Sequence, residues 1–320
     1  MNILAPVNNY QAAVAVIDAG ADEIYLGADD ELFSLYSFTG RGKIGYSGIT
    51  ILNKFAQTKE IIDYAHSKEV KVNFLGNAQF FCNGFFKGKD MESYFIDYLE
   101  KGIKMGADAL VIGDFGLLEA ISKRNYPIEL HASVYFRTIN KQQLLFLKDF
   151  GVSRTTLSYQ VTLDEISDLC ASEIMDIEVM GYLGCSFFNG ACGFLHDFGE
   201  GILDEFDPGV ACKGIYHVQD GREITHGKIF DAEAGCAICK LAELESLGVK
   251  TLKIVGRGRA HQQIAQVIQL YKKFIDYYRD GFSFVEKQAE IPGWWRKLWC
   301  SKARCKYKRE NPNNLFMIGR

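Results

Sequence analysis

No apolar run in the 320 residues approaches the length of a membrane-spanning helix. Positive charge is not in excess either: 36 Lys and Arg stand against 40 Asp and Glu, a net charge of −4. The first absence argues against a helical membrane protein, and the second removes any global electrostatic footprint for nucleic acid. The opening MNILAPVNNYQAAVAVIDAGADEIYLG has early acidic residues and no basic stretch ahead of an apolar core. It predicts a chain without a signal peptide and a cytoplasmic location. Familiar catalytic signatures are missing as well. There is no G-x-S-x-G elbow and no H-E-x-x-H pair, so neither a serine hydrolase nor a zinc protease of common design is written here. Where a dinucleotide-binding fold would place G-x-G-x-x-G after its first strand, the chain reads LAPVNNYQ.

What remains is an ordinary globular composition, 48% hydrophobic and 24% charged, long enough to bury a large core. One pattern recurs four times, in DAGADEIYLG (18–27), KMGADALVIGD (104–114), DFGVSRTTLS (149–158) and SLGVKTLKIVG (246–256). Each carries a helix-like stretch closed by glycine, then a small and a polar residue, then a β-rich run. Glycine suits the left-handed position that ends a helix, so each is a helix-to-strand junction. NILAP (2–6), VKVNFLG (70–76), IELHASV (128–134) and IEVMGYL (177–183) bring the strands to eight. Strands alternating with helices predict a parallel sheet, and eight of them an α/β (β/α)8 barrel of TIM type; an open doubly wound sheet is the rival. The barrel domain is expected over residues 1–283, with a long insertion at about 184–245 after strand seven and a basic extension over 284–320. In such a barrel the active face lies at the strand C-terminal ends.

The insertion holds Cys185, Cys192, Cys212, Cys236 and Cys239, five of the nine cysteines. Their spacings, C-x6-C, C-x19-C, C-x23-C and C-x2-C, fit no common zinc ribbon. A chain without an export signal is expected to keep its thiols reduced. A metal or iron–sulfur site, buried free thiols and disulfides all remain open on spacing alone. His196, His217 and His226 lie in the same insertion as weaker zinc ligands. Phe187 and Phe188 fit either a shield against water or plain aromatic packing.

LAPVNNYQAAVAVIDAGADEIYLG, ELHASVYFRTIN, TLKIVGRGR and the C-x4-G-x-C of Cys185, Gly190 and Cys192 together resemble the collagenase-like peptidase family U32 over about residues 1–280. The resemblance implies a barrel and, in the family's hydroxylase branches, an oxygen-independent hydroxylation of quinone precursors or of tRNA and rRNA bases. It further implies a four-iron (4Fe-4S) cluster on Cys185, Cys192, Cys212 and Cys236, with Cys239 as a spare, and prephenate as oxygen donor. Peptidase activity and a noncatalytic role beside a paralogous barrel are the alternatives. The chain also departs from the family pattern. Gly181 stands at the family's histidine, Glu178 meets its glutamate only after a one-residue shift, and Gln11 replaces a common glutamate.

Other residues complete the expected active face. His131, late in strand five, reads either as a satisfied core histidine or as a proton donor or substrate ligand at the open end. Arg257, with Lys253 and Arg259 beside it, reads as a carboxylate clamp or as a barrel-end salt bridge. Asp114, Gln160 and Asn73 read more readily as a cap, a turn and a strand amide than as site residues. Cys82 falls on the same face after strand three, whereas Cys170 is expected in a helix as packing. Beyond an amphipathic helix at 261–281, WWRKLWCSKARCKYKR (294–309) carries three tryptophans, seven basic residues, Cys300 and Cys305. It is expected either to bind RNA or to lay its tryptophans on the barrel with its lysines solvated.

Overall fold

The computed structural model describes residues 1–30, 54–77, 84–86, 88–182, 216–220, 223–227, 235–256, 259–300 and 306–307. Eight parallel strands close into a barrel: β1 Asn2–Pro6, β2 Glu23–Leu26, β3 Lys71–Gly76, β4 Ala109–Ile112, β5 Glu129–Ala132, β6 Val152–Thr156, β7 Asp176–Tyr182 and β8 Thr251–Ile254. Each strand pairs with its neighbours in sequence, and β8 returns to β1 through Asn2↔Thr251 and Leu4↔Lys253. A helix follows every strand: α1 Tyr10–Asp18, α2 Phe55–Ser67, α3 Met91–Lys104, α4 Phe115–Ser122, α5 Lys141–Asp149, α6 Leu163–Ala171, α7 Leu241–Ser246 and α8 His261–Arg279. The four predicted junction glycines, Gly20, Gly106, Gly151 and Gly248, all have φ between 78° and 100°. Only glycine reaches that region without strain, which is why the repeat is legible at all.

Strand parity sorts the core. On β2, Ile24 and Leu26 face the helical layer with Val16 and Ile61, while Tyr25 joins Leu4, Leu75 and Val111 inside the barrel. The same parity puts charged side chains inside. Glu23 is 1% exposed, and its carboxylate accepts hydrogen bonds from Arg154 at 2.6 Å, Asn2 at 2.9 Å and Asn73 at 3.0 Å. Burial pushes the Glu23 carboxyl up, but the Arg154 bond and charge, with the two amides, hold it below the ordinary carboxylate range. Higher in the barrel, Glu178 accepts from Thr156 Oγ1 at 2.7 Å and Lys253 Nζ at 3.0 Å, and that ammonium lies 4.5 Å from the Tyr25 ring centroid.

Two short helices, α9 Phe284–Lys287 and α10 Gly293–Trp299, follow α8. Ile291, Trp295 and Trp299, spaced by four, are buried in the same core as α8 and the outer face of β7. The expectation that the tryptophans lie on the barrel holds for these two, while Trp294 is half exposed. Inside the insertion, Tyr216–Asp220 and Glu223–Gly227 form an antiparallel hairpin. Among the described residues no helix is long and apolar enough to cross a membrane.

Removing Arg154 leaves Glu23 as a buried charge without its partner. R154M is expected to lower unfolding free energy by about 3–5 kcal/mol. The double variant E23Q/R154M should recover part of that loss, and urea unfolding of the two proteins checks both.

Candidate functional site

The mouth of the barrel is built by residues just past the strand ends. Tyr159 and Met180 form a small buried apolar cluster there, flanked by Val134 and Val255. Lys306, from beyond α10, reaches this cluster. Its Nζ donates to the Met180 carbonyl at 3.0 Å and sits 4.8 Å from the Tyr159 ring centroid. Burial pushes the Lys306 ammonium down to about 7.

Cys236 lies at the exit of β7, where it forms an antiparallel bridge with Tyr182. The thiol is buried, and the fully buried Trp295 donates its indole N–H to Sγ at 3.3 Å. Tyr182 stacks on Trp295 at 5.4 Å, and Trp299 meets Tyr182 edge-on. Tyr271 ties the turn together: its hydroxyl donates to Gly181 O at 2.5 Å and accepts from Ala237 N–H at 3.1 Å. An N–H aimed at sulfur, inside a shell closed to water, suits a thiolate ligand of a metal or cluster. Cys236 therefore fits the role that the resemblance gives it. Cys185, Cys192 and Cys212 lie outside the described residues, as do Cys82, Cys305, Phe187, Phe188 and His196. Among the described residues no three metal-ligating side chains converge. His217 and His226 are direct partners in the hairpin register. Of the other described cysteines, Cys239 and Cys300 are exposed, and burial raises the half-buried Cys170 to about 11, which suits inert packing.

Gly181 explains one departure from the family pattern. It sits at the irregular pairing of β7 with β8, and a Cβ there would stand 2.4 Å from Leu252 Cγ. No histidine fits without moving β8.

His131 is 4% exposed and points into the barrel. Its Nε2 pairs with Glu129 Oε2 at 3.0 Å, toward the strand N-terminal end, while the buried Nδ1 meets no protein partner. The ring thus faces away from the mouth at which the sequence placed it. The His131 bond and charge pull Glu129 down to about 2, against the opposing effect of partial burial. Lys253 takes the salt-bridge reading, with Glu178 as its partner. Asp114 caps α4 by accepting Leu117 N–H, Asn73 is a satisfied strand amide, and Gln160 accepts from Ser158 Oγ. Arg257 lies outside the described residues; the backbone N–H of Arg259 closes a turn on Gly256 O. Sequence reading missed Glu23, Arg154 and Lys306. The first two had a signal: a charge at an inward parity position of a barrel strand.

A depressed carboxyl pKa stabilises the fold above its unfolded value and ceases to do so as the group protonates. The contribution of Glu129 is therefore complete above about pH 4.5 and fades as pH falls toward 2. The stability gap between wild type and E129Q should close over that window, as followed by chemical unfolding at stepped pH.

Comparisons with known proteins agree with this architecture. Residues 8–309 match the model of peptidase family U32, so the match runs on through the tryptophan-rich segment. The tRNA hydroxylation protein P of Escherichia coli is 25% identical over 247 residues, covering 59% of this chain and 53% of that protein. The 23S rRNA 5-hydroxycytidine C2501 synthase of the same organism is 25% identical over 283 residues, covering 86% of this chain and 39% of that protein. This chain thus spans about half or less of the length of these two curated relatives. Among solved structures, the U32 peptidase Mk0906 matches with a TM-score of 0.50 and 14% identity over 80% of this chain and 93% of its own, a likeness of fold.

Proposed function

Because the chain belongs to peptidase family U32, with its fold and a shielded cysteine at the exit of the seventh strand, we propose that it is a hydroxylase acting on an RNA base. The observation that carries the reading is Cys236. It is a buried thiol, held against the barrel by Tyr271 and Trp295, in a chain similar to proteins named for tRNA and rRNA hydroxylation. Cys185, Cys192, Cys212 and Cys236 would hold a 4Fe-4S cluster, which when bound supplies redox or Lewis-acid chemistry.

The chain's own residues do the rest. Trp295 donates to Sγ and, with Tyr182 and Trp299, keeps water from it. Arg257, which follows β8 in the chain, would supply a planar fork for the carboxylate of a small oxygen donor such as prephenate. His131, inside the barrel below the mouth, holds the Glu129 carboxyl low through its hydrogen bond. The exposed side of α10 carries Trp294, Arg296 and Lys297, a ring and two cations of the kinds that suit a base and its phosphates.

Purification without oxygen should give coloured protein with about four iron and four sulfide per chain, and C236A should lose both. Mass spectrometry of nucleosides from cells lacking the gene should show one hydroxylated base missing, restored by the wild type and not by C236A. Colourless, iron-poor protein that still restores the base would sink the cluster. Metal-free protein that cleaves an unstructured peptide would replace the reading with the hydrolysis that the family name suggests.

A further inference from the structure

Charges inside this barrel come in pairs. Glu23 has Arg154, Glu178 has Lys253, and Glu129 has His131 and Lys71. Lys306 breaks the rule. Its ammonium donates to one backbone carbonyl, of Met180, and otherwise faces the rings of Tyr159 and Tyr307 at 4.8 and 5.2 Å. Among the described residues no carboxylate reaches it. An ammonium has three N–H donors, and one protein oxygen takes only one of them. A cation withdrawn from water without a counter-ion is costly, and an anion arriving beside it relieves that cost.

Position says where the anion comes from. Met180 faces the barrel interior two residues before the end of β7, and Tyr159 and Val255 follow the ends of β6 and β8. The ammonium therefore stands at the strand C-terminal end, the face on which barrels of this kind bind their ligands. The walls say what kind of anion it is. Tyr159, Met180, Val134 and Val255 are apolar surfaces suited to a carbon skeleton. One lysine is a point charge that matches a carboxylate; phosphate sites gather several donors from an arginine fork or a long helix N-terminus.

We infer that Lys306 is a substrate-contacting residue whose ammonium receives the carboxylate of a small organic anion entering the barrel mouth. The C-terminal segment is then part of the site: Trp295 and Trp299 seat it on β7, and Lys306 is delivered from its far end. The inference rests on the hydroxylase reading only for what the anion is used for. The binding itself stands on the geometry of the mouth.

Malonate is the probe, titrated calorimetrically into the full chain purified without oxygen. It should bind the wild type at one site, more tightly than inorganic phosphate does. K306Q removes the charge and keeps an N–H donor on a side chain one atom shorter. It should bind malonate at least tenfold more weakly, with its melting temperature and iron content unchanged. A second measurement needs no variant: malonate should slow acetylation of Lys306 by acetic anhydride in the wild type, read by peptide mass. Failure of millimolar malonate to bind or to protect Lys306 overturns the assignment, as does equal affinity in K306Q. Tighter binding of phosphate overturns the carboxylate. Iron content and base hydroxylation that survive such a failure leave the proposed function standing; malonate binding in iron-free, inactive protein does the reverse.

Discussion

One carboxylate ties the barrel shut from within. Glu23 stands at the start of β2 and is reached by Asn2 of β1, Asn73 of β3, Arg154 of β6 and, at a longer 3.5 Å, Thr251 of β8. Five of the eight strands therefore meet at a single ionised group. A buried carboxylate without partners would be expelled or protonated, so the strands that supply its donors are fixed in register by electrostatics as well as by backbone pairing. Apolar side chains of the right volume would have filled the same space with no loss of stability. What the charges add is directionality: slipping one strand by a residue would turn its donor away from Glu23 and onto the helical face.

This arrangement governs where chemistry can sit. Inside the barrel Glu23 and Glu178 each hold a cation, and Glu129 holds His131 toward the strand N-terminal end. His131 belongs to that lower layer by its Glu129 contact, whatever its place in the sequence motif suggests. Free chemical capacity begins one layer higher, around Met180 and Tyr159, and continues outward along the exit of β7 to Cys236. Gly181 joins these two regions. Its missing side chain lets β7 press against Leu252, and its carbonyl anchors both Ala237 N–H and the Tyr271 hydroxyl. The Cys236 thiol is positioned by its neighbour Ala237 at that shared carbonyl.

The barrel was legible because its grammar is local. Gly20, Gly106, Gly151 and Gly248 close helices by a backbone conformation that other residues resist, and every predicted strand is present. Asp114 and Asn73 were legible in the same way, as a cap and a strand amide. The site was less so. Parity could have exposed Glu23 and Arg154 as inward charges, but pairing a residue of β2 with one of β6 requires the closed barrel, 131 positions apart in the chain. The direction of the His131 ring was not legible either, because a strand residue can reach forward or back and only Glu129 decides between them. Gly181 is different again. Its absence of a side chain is visible in the sequence, while its reason, the Leu252 side chain opposite, is not.

The C-terminal segment shows how spacing resolves what composition leaves open. Tryptophan interleaved with lysine and arginine reads equally as a nucleic-acid surface or as packing, and α10 divides the two kinds of residue between its faces. Trp295 and Trp299 are four apart and share the buried face with Ile291, whereas Trp294, Arg296 and Lys297 occupy the other. A helix of seven residues has too little of its own stability to hold that division. The division persists because Tyr182, Tyr271 and the Cys236 thiol offer the two indoles a finished socket. Lys306 stands seven positions beyond Trp299 in the chain. Burying Lys306 there is a consequence of the tryptophan anchor as much as of its own contacts. The segment that shields the sulfur is thus also the one that carries a charge to the mouth.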